Sequence, residues 1–308
     1  MNLKLRAALT LGLLSLAGAA AALPIVGVTG DNRLIYTDTV SPQLAPLVVN
    51  ITGLQPGETI LGIDTRPANG ELFALGSTGR LYRIGNGFTG GSIGGAAQIG
   101  NGPGFTPAAG VTYGFDFNPS VDRIRIVGSD SSNLRYNPTV DSATSPLAAT
   151  DTALTPATNA VGAAYDRSVA TTGGLTTLFL VDASADALVR QGGVDGTPSP
   201  NGGAITSIGP LGVDIGAAAG FDISAGATGF VAGLVANGSL YTVNLATGAA
   251  SLSGAIAGGA TITDFTFVPA IPNQQSTSQV IPTLSPVTLA ALLGALGLLG
   301  LVALRRKS

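Results

Sequence analysis

A leucine stands just behind a small polar turn five times in this chain. The segments are D-N-R-L at Leu34, T-G-R-L at Leu81, S-N-L at Leu134, A-D-A-L at Leu188 and N-G-S-L at Leu240, at gaps of 47, 53, 54 and 52 residues. A period near 50 with several short strands per repeat predicts a β-propeller, since one such unit cannot bury its apolar faces alone and must stack on neighbours.

A second segment recurs upstream of the leucines. It reads L-G-I-D-T-R-P at Asp64, Y-G-F-D-F-N-P at Asp116, A-A-Y-D-R-S at Asp166 and A-G-F-D-I-S at Asp222, with a looser I-T-D-F-T-F-V-P around Thr266. After each of the first four comes a hydrophobic strand: E-L-F-A-L-G, R-I-R-I-V-G, T-L-F-L-V-D and G-F-V-A-G-L. The unit is therefore D-strand, hydrophobic strand, leucine strand and outer strand. The first copy, Ile25 to Leu54, has no D-strand before it, and the last D-strand, Ile262–Pro269, has no strands after it. One missing strand at each end predicts ring closure. The C-terminal strand completes the blade that the N-terminus begins, and no sheet edge stays open. Five leucine segments predict five blades in an all-β fold.

Both ends read as targeting segments. Residues 1–22 carry Lys4 and Arg6, an apolar run and then alanines, with Ala20 and Ala22 as the small residues of a signal-peptide cleavage site. Val287 to Leu304 is an 18-residue run without a charge. At 1.5 Å per residue it is about 27 Å long, enough to cross a bilayer core. Arg305, Arg306 and Lys307 follow it. Basic residues stay cytoplasmic, which places the body outside the inner membrane. The expected organisation is a signal peptide at 1–22, a propeller at 23–269, a polar tether at 270–280 and a sorting segment with transmembrane helix at 281–308.

The body carries 17 acidic residues against nine arginines, a net of −8. Such a charge repels phosphate backbones, so nucleic acid is not an expected partner. Histidine and cysteine are absent, which removes Ser-His-Asp and thiolate catalysis and the usual zinc, haem and iron–sulfur ligands. Carboxylates, tyrosine, arginine or a hard cation held by oxygen remain. Asp64, Asp116, Asp166 and Asp222 recur at the blade period and are expected on one level of the ring. There they could hold Ca²⁺, which takes oxygen ligands. Repeated turns, each capped by its own aspartate, give the same period. Arg66, Asn118 and Arg167 follow these aspartates closely and would line the same mouth. Tyr36, Tyr82, Tyr136 and Tyr241 sit one or two places after the leucines, where packing between blades or stacking on a ligand would both suit them.

Ile281–Ser285, I-P-T-L-S, followed by the apolar run and R-R-K, resembles the bacterial I-P-T-L C-terminal sorting signal, a relative of the P-E-P type processed by exosortase-like membrane enzymes. By that resemblance Ile281, Pro282, Thr283, Leu284 and Ser285 form the recognition element, in a Gram-negative cell envelope. Pro286 and Val287 stand where members commonly carry an acidic residue and a tryptophan. In the body, G-V-T-G-D-N-R-L at Gly27–Leu34, the segment Ile51–Leu75, Y-G-F-D-F-N-P-S-V-D-R-I-R-I-V at Tyr113–Val127 and S-L-Y-T-V-N-L-A-T-G-A-A at Ser239–Ala250 are similar to an uncharacterised family of exported bacterial domains. That family is classed as a domain of unknown function, so the resemblance implies a propeller and an envelope location but no catalytic residue. The expectation is an exported module that binds a protein or glycan. The alternative is a divalent-cation-dependent hydrolase or lactonase-like enzyme at the channel mouth.

Overall fold

A computed structural model describes residues 22–139, 149–170, 174–224 and 231–272. The expected signal peptide up to its last residue, most of the expected tether and the expected sorting segment from Ile281 onward lie outside the described residues. Among the described residues no helix is long and apolar enough to cross a membrane.

Among the described residues, twenty antiparallel strands form five four-stranded sheets. Blade 1 begins with β1 (Pro24–Thr29), β2 (Arg33–Asp38) and β3 (Leu47–Asn50). Blade 2 comprises β4 (Ile60–Thr65), β5 (Leu72–Gly76), β6 (Leu81–Ile84) and β7 (Ala96–Ile99). Blade 3 comprises β8 (Tyr113–Asn118), β9 (Arg123–Gly128), β10 (Asn133–Tyr136) and β11 (Ala149–Thr150). Blade 4 comprises β12 (Ala160–Tyr165), β13 (Leu178–Asp182), β14 (Ala187–Gln191) and β15 (Ile205–Pro210). Blade 5 comprises β16 (Ala219–Ile223), β17 (Ala232–Ala236), β18 (Ser239–Val243) and β19 (Ala250–Ala255). The final strand, β20 (Ile262–Phe267), returns to blade 1 and pairs with β1 in the register Ile25↔Phe267 to Val28↔Asp264. The five-bladed ring and its closure by the C-terminal strand are thus as the repeat pattern predicts.

The D-strands β4, β8, β12, β16 and β20 touch one another in sequence around the axis. Their two faces, and those of the next strands out, are covered by neighbouring blades. That is why β5, β13 and β17 are buried at every position rather than at alternate ones. The outer strands, such as β15 and β19, have no fully buried position. The five period leucines lie on β2, β6, β10, β14 and β18 and are all buried. The small polar turns before them are there for backbone geometry. Asn32, Gly79, Ser131, Asp186 and Asn237 all take positive φ at the hairpin between the second and third strands of a blade, a conformation that Gly, Asn and Asp tolerate best. Tyr36, Tyr82 and Tyr136 are fully buried, and Tyr241 packs partly buried against the core of blades 4 and 5.

Candidate functional site

The D-strands approach so closely at the axis that four of them carry glycine two residues before the ring position. A Cβ on Gly62 would lie 2.7 Å from Phe115 Cβ, one on Gly114 2.7 Å from Ala163 N, one on Gly162 2.8 Å from Phe221 Cβ, and one on Gly220 2.7 Å from Asp264 Cα. With backbones this near, a side chain on one blade reaches the N–H of the next. Asp64 Oδ2 accepts from Phe117 N at 2.7 Å, Asp116 Oδ2 from Tyr165 N at 2.8 Å, and Asp222 Oδ2 from Phe267 N at 2.8 Å. Thr266 Oγ1 fills the same role in blade 1, accepting from Thr65 N at 3.2 Å and donating to Asp64 Oδ1 at 2.8 Å. In the glycine column the fifth strand has Asp264 instead, whose Oδ2 accepts from Ile63 N at 2.8 Å. Each aspartate therefore ties its own blade to the next one, rather than capping its own turn.

Asp64, Asp116, Asp222 and Asp264 are all buried. Burial raises the pKa of all four carboxyls, and it does so strongly for Asp64, Asp116 and Asp264. Mutual repulsion adds to this, from Asp222 on Asp64 and from Asp64 and Asp222 on Asp116, while the backbone N–H bonds oppose it. Asp64, Asp116 and Asp222 each offer one oxygen within 4.8 Å of the others. That spacing allows either shared protons or a hard cation among them.

Asp166 is not part of this ring. The glycine column shows why. In blade 4 the counterpart of Gly62-Ile63-Asp64 is Gly162-Ala163-Ala164, so Ala164 holds the ring position and Asp166 falls beyond the end of β12. There it accepts from Thr177 N at 2.7 Å and pairs with Arg167 at 3.0 Å. Arg167 also reaches Asp195. Arg66 makes a two-pronged ion pair with Asp122 of the next blade and lies with Asp64 and Asp222 in a cavity of about 280 Å³ at the channel mouth. Asn118 Oδ1 caps the next turn through Ser120 N at 2.9 Å.

A larger cavity, of about 450 Å³, opens between blades 3 and 4 on the face that carries this mouth. Its blade 4 wall is the long connection between β14 and β15, which contains the 3₁₀ turns Val194–Gly196 and Pro200–Gly202. Its floor rests on Arg125. Pairing in the sheets puts Arg125 opposite Asp116, where blades 2 and 4 place Phe73 and Phe179 opposite Asp64 and Ala164. Arg125 is only 2% exposed. Its Nη1 donates to Asn133 Oδ1 and Asp151 Oδ2, both at 2.7 Å, its Nη2 to Asn201 Oδ1 at 2.6 Å, and its Nε to the Tyr165 hydroxyl at 3.3 Å. A buried charge persists only with such partners. Arg135 grips Asp151 from outside through two bonds, at 2.7 and 2.9 Å. Gln191, fully buried beside Asn133, keeps an Oε1 with no hydrogen-bond partner.

This cleft was not evident in the sequence. R-I-R-I reads as an ordinary alternating strand with one polar face, and the burial of that face follows only from the neighbouring blade. The available signal was the glycine column together with a charged Arg125 at the position that Phe73 and Phe179 hold in blades 2 and 4.

No curated protein matches the sequence. Among solved structures, an auxiliary nutrient binding protein from Bacteroides thetaiotaomicron is similar at 14% identity and TM-score 0.39, covering 68% of this chain and 55% of that one. This chain thus spans about half the length of that protein. A nidogen/laminin complex is similar at 11% identity and TM-score 0.40, covering 80% and 98%. The SapL1 lectin in complex with alpha methyl fucoside is similar at 12% identity and TM-score 0.38, covering 75% and 79%. Residues 33–266, most of the described propeller, match a family sequence pattern, and the chain belongs to that family, a domain of unknown function (DUF4394).

Proposed function

We propose that the protein is a binding module of the bacterial cell envelope, with no catalytic step of its own, and that it takes a polar ligand in the cleft between blades 3 and 4. The cleft carries the reading. It lies within the roughly 300–1,000 Å³ typical of small-ligand sites. It is walled by Asn118, Thr176, Thr197, Ser199 and Asn201, side chains suited to hydroxyl-rich or peptide partners. In this reading residues 1–22 direct export, and Val287–Leu304 hold the chain at the inner membrane until an exosortase-like enzyme acts at Ile281–Ser285. The full chain, purified in detergent, is expected to be retained on glycan or peptide arrays and to turn over none of the glycans, lactones or phosphoesters offered. Turnover that is lost in Asp64→Asn or Asp222→Asn would overturn it.

A second reading rests on the 4.8 Å convergence of Asp64, Asp116 and Asp222: a divalent-cation-dependent hydrolase or lactonase-like enzyme, with Ca²⁺ at the axis. Binding would have to displace the protons that the raised pKa values favour. A cation held by the folded state alone raises the melting temperature by mass action. Equal melting temperatures in Ca²⁺ and in chelator would count against the cation.

A further inference from the structure

We infer that the ligand of the cleft is a carboxylate-bearing sugar of the hexuronate type, with Arg123 as the group that receives its charge. This rests on the proposal that the cleft is the binding site, and it goes further by naming the chemistry of the ligand. The body of the protein is acidic, yet the cleft wall is cationic: Arg123, Arg125 and Arg135 line it against the single carboxylate of Asp195. Adding Asp151, which sits behind the wall and serves both Arg125 and Arg135, still leaves one positive charge in excess. Asp195 itself pairs with Arg167.

The excess charge lies on Arg123. Among the described residues, seven of the nine arginines lie within 4.0 Å of a carboxylate, and Arg123 is not one of them. Its Nη1 donates only to the backbone carbonyls of Val121 and Asp122. The remaining N–H groups of a planar guanidinium form a fork that fits a carboxylate. Arg125 differs: four protein partners hold it, so it stabilises Asn201 and Tyr165 in the wall and is a positioning residue. Around Arg123 the wall offers hydroxyls and amides from Asn118, Thr176, Thr197, Ser199 and Asn201, with Val121 and Pro200 as its apolar surface. One anionic group beside several hydroxyl partners and a small apolar face is the complement of a hexuronate. A neutral sugar would leave the charge unmatched, and an inorganic anion would leave the hydroxyl partners unused.

Calorimetric titration of the full chain with D-glucuronate, D-glucose and sulfate separates these cases. Glucuronate is expected to bind, and glucose and sulfate to bind at least tenfold more weakly. Arg123→Gln is expected to weaken glucuronate about tenfold, the loss of one charge-assisted contact, without lowering the melting temperature. Thr197→Trp, at an exposed position of the wall, is expected to abolish binding by filling the cleft. Equal affinity for glucose and glucuronate, with Arg123→Gln silent, overturns the uronate inference but keeps the cleft as the site, provided Thr197→Trp still blocks. Sulfate binding as tightly as glucuronate reduces the site to an anion hole and also overturns it. Absence of binding by all three overturns the inference and leaves the array experiment to decide the broader reading. Glucuronate binding that survives Thr197→Trp overturns both.

Discussion

Gly62 has no room for a side chain, and that single restriction explains much of the axis. Its missing Cβ admits Phe115 of the next blade and brings Asp264 Oδ2 within 3.2 Å of where the Cβ would stand. The same closeness lets Asp264 receive Ile63 N. Gly62→Ala is expected to destabilise the protein by about 1–3 kcal/mol through overpacking, measured as a lower midpoint in urea unfolding. Gly30→Ala, at an exposed position with nothing within 4 Å, is expected to change it by less than about 0.5 kcal/mol. Glycine was also the clearer guide to register. Aligning aspartate on aspartate placed Asp166 in the ring, whereas the glycine two residues earlier marks Ala164. Aspartate serves turns and rings alike, while a glycine forced by a neighbour's approach has one explanation.

At the level of strands, β20 carries the closure. It is the inner strand of blade 1 and brings Ile262 and Phe265 into the core, with Val268 buried just after it. Without it the inner edge of β1 is open, and both Thr266 and Asp264 are lost from the axis. A chain ending at Ala260 is expected to show no cooperative unfolding transition by calorimetry, while a chain ending at Pro272 is expected to keep one. The strand order and this closure were legible in the sequence, because each blade repeats the same local solution of glycine, aspartate, polar turn and leucine. The β14–β15 connection was not legible as a site wall. Its residues 192–204 acquire a role only by meeting Arg125 of another blade, and a pairing across blades leaves no local pattern. Asn118, expected at the channel mouth, lines the cavity between blades 3 and 4, and the cavity on the axis is lined without it.

Across the whole molecule, charge is divided between two places with different physics. The axis concentrates carboxyls whose pKa burial has raised, so the folded protein holds protons that the unfolded chain has already released. Linkage then removes stability as pH rises. The contribution of Asp64, Asp116, Asp222 and Asp264 is complete below their ordinary value of 3.8 and is lost as pH climbs through their raised folded values. Asp31 and Glu71 shift the other way, but both lie near the surface, where solvent screens them. In chelator at constant ionic strength, the melting temperature is expected to fall as pH rises above the ordinary carboxyl value of 3.8. Asp264→Asn, which keeps the shape and removes the titration, is expected to flatten that fall. An unchanged slope would mean that the axis does not store protons.

The cleft, in contrast, gathers positive charge in an acidic protein and offers it to the outside. On the proposal above, recognition occurs in the cleft and the axis binds only its own blades. Hydrogen–deuterium exchange of the full chain with and without saturating D-glucuronate tests this most directly. Slower exchange is expected at residues 118–125 and 192–204, with no change at 64–66, 222–224 and 266–268. Protection confined to those channel-mouth segments, with the cleft unaffected, would contradict it.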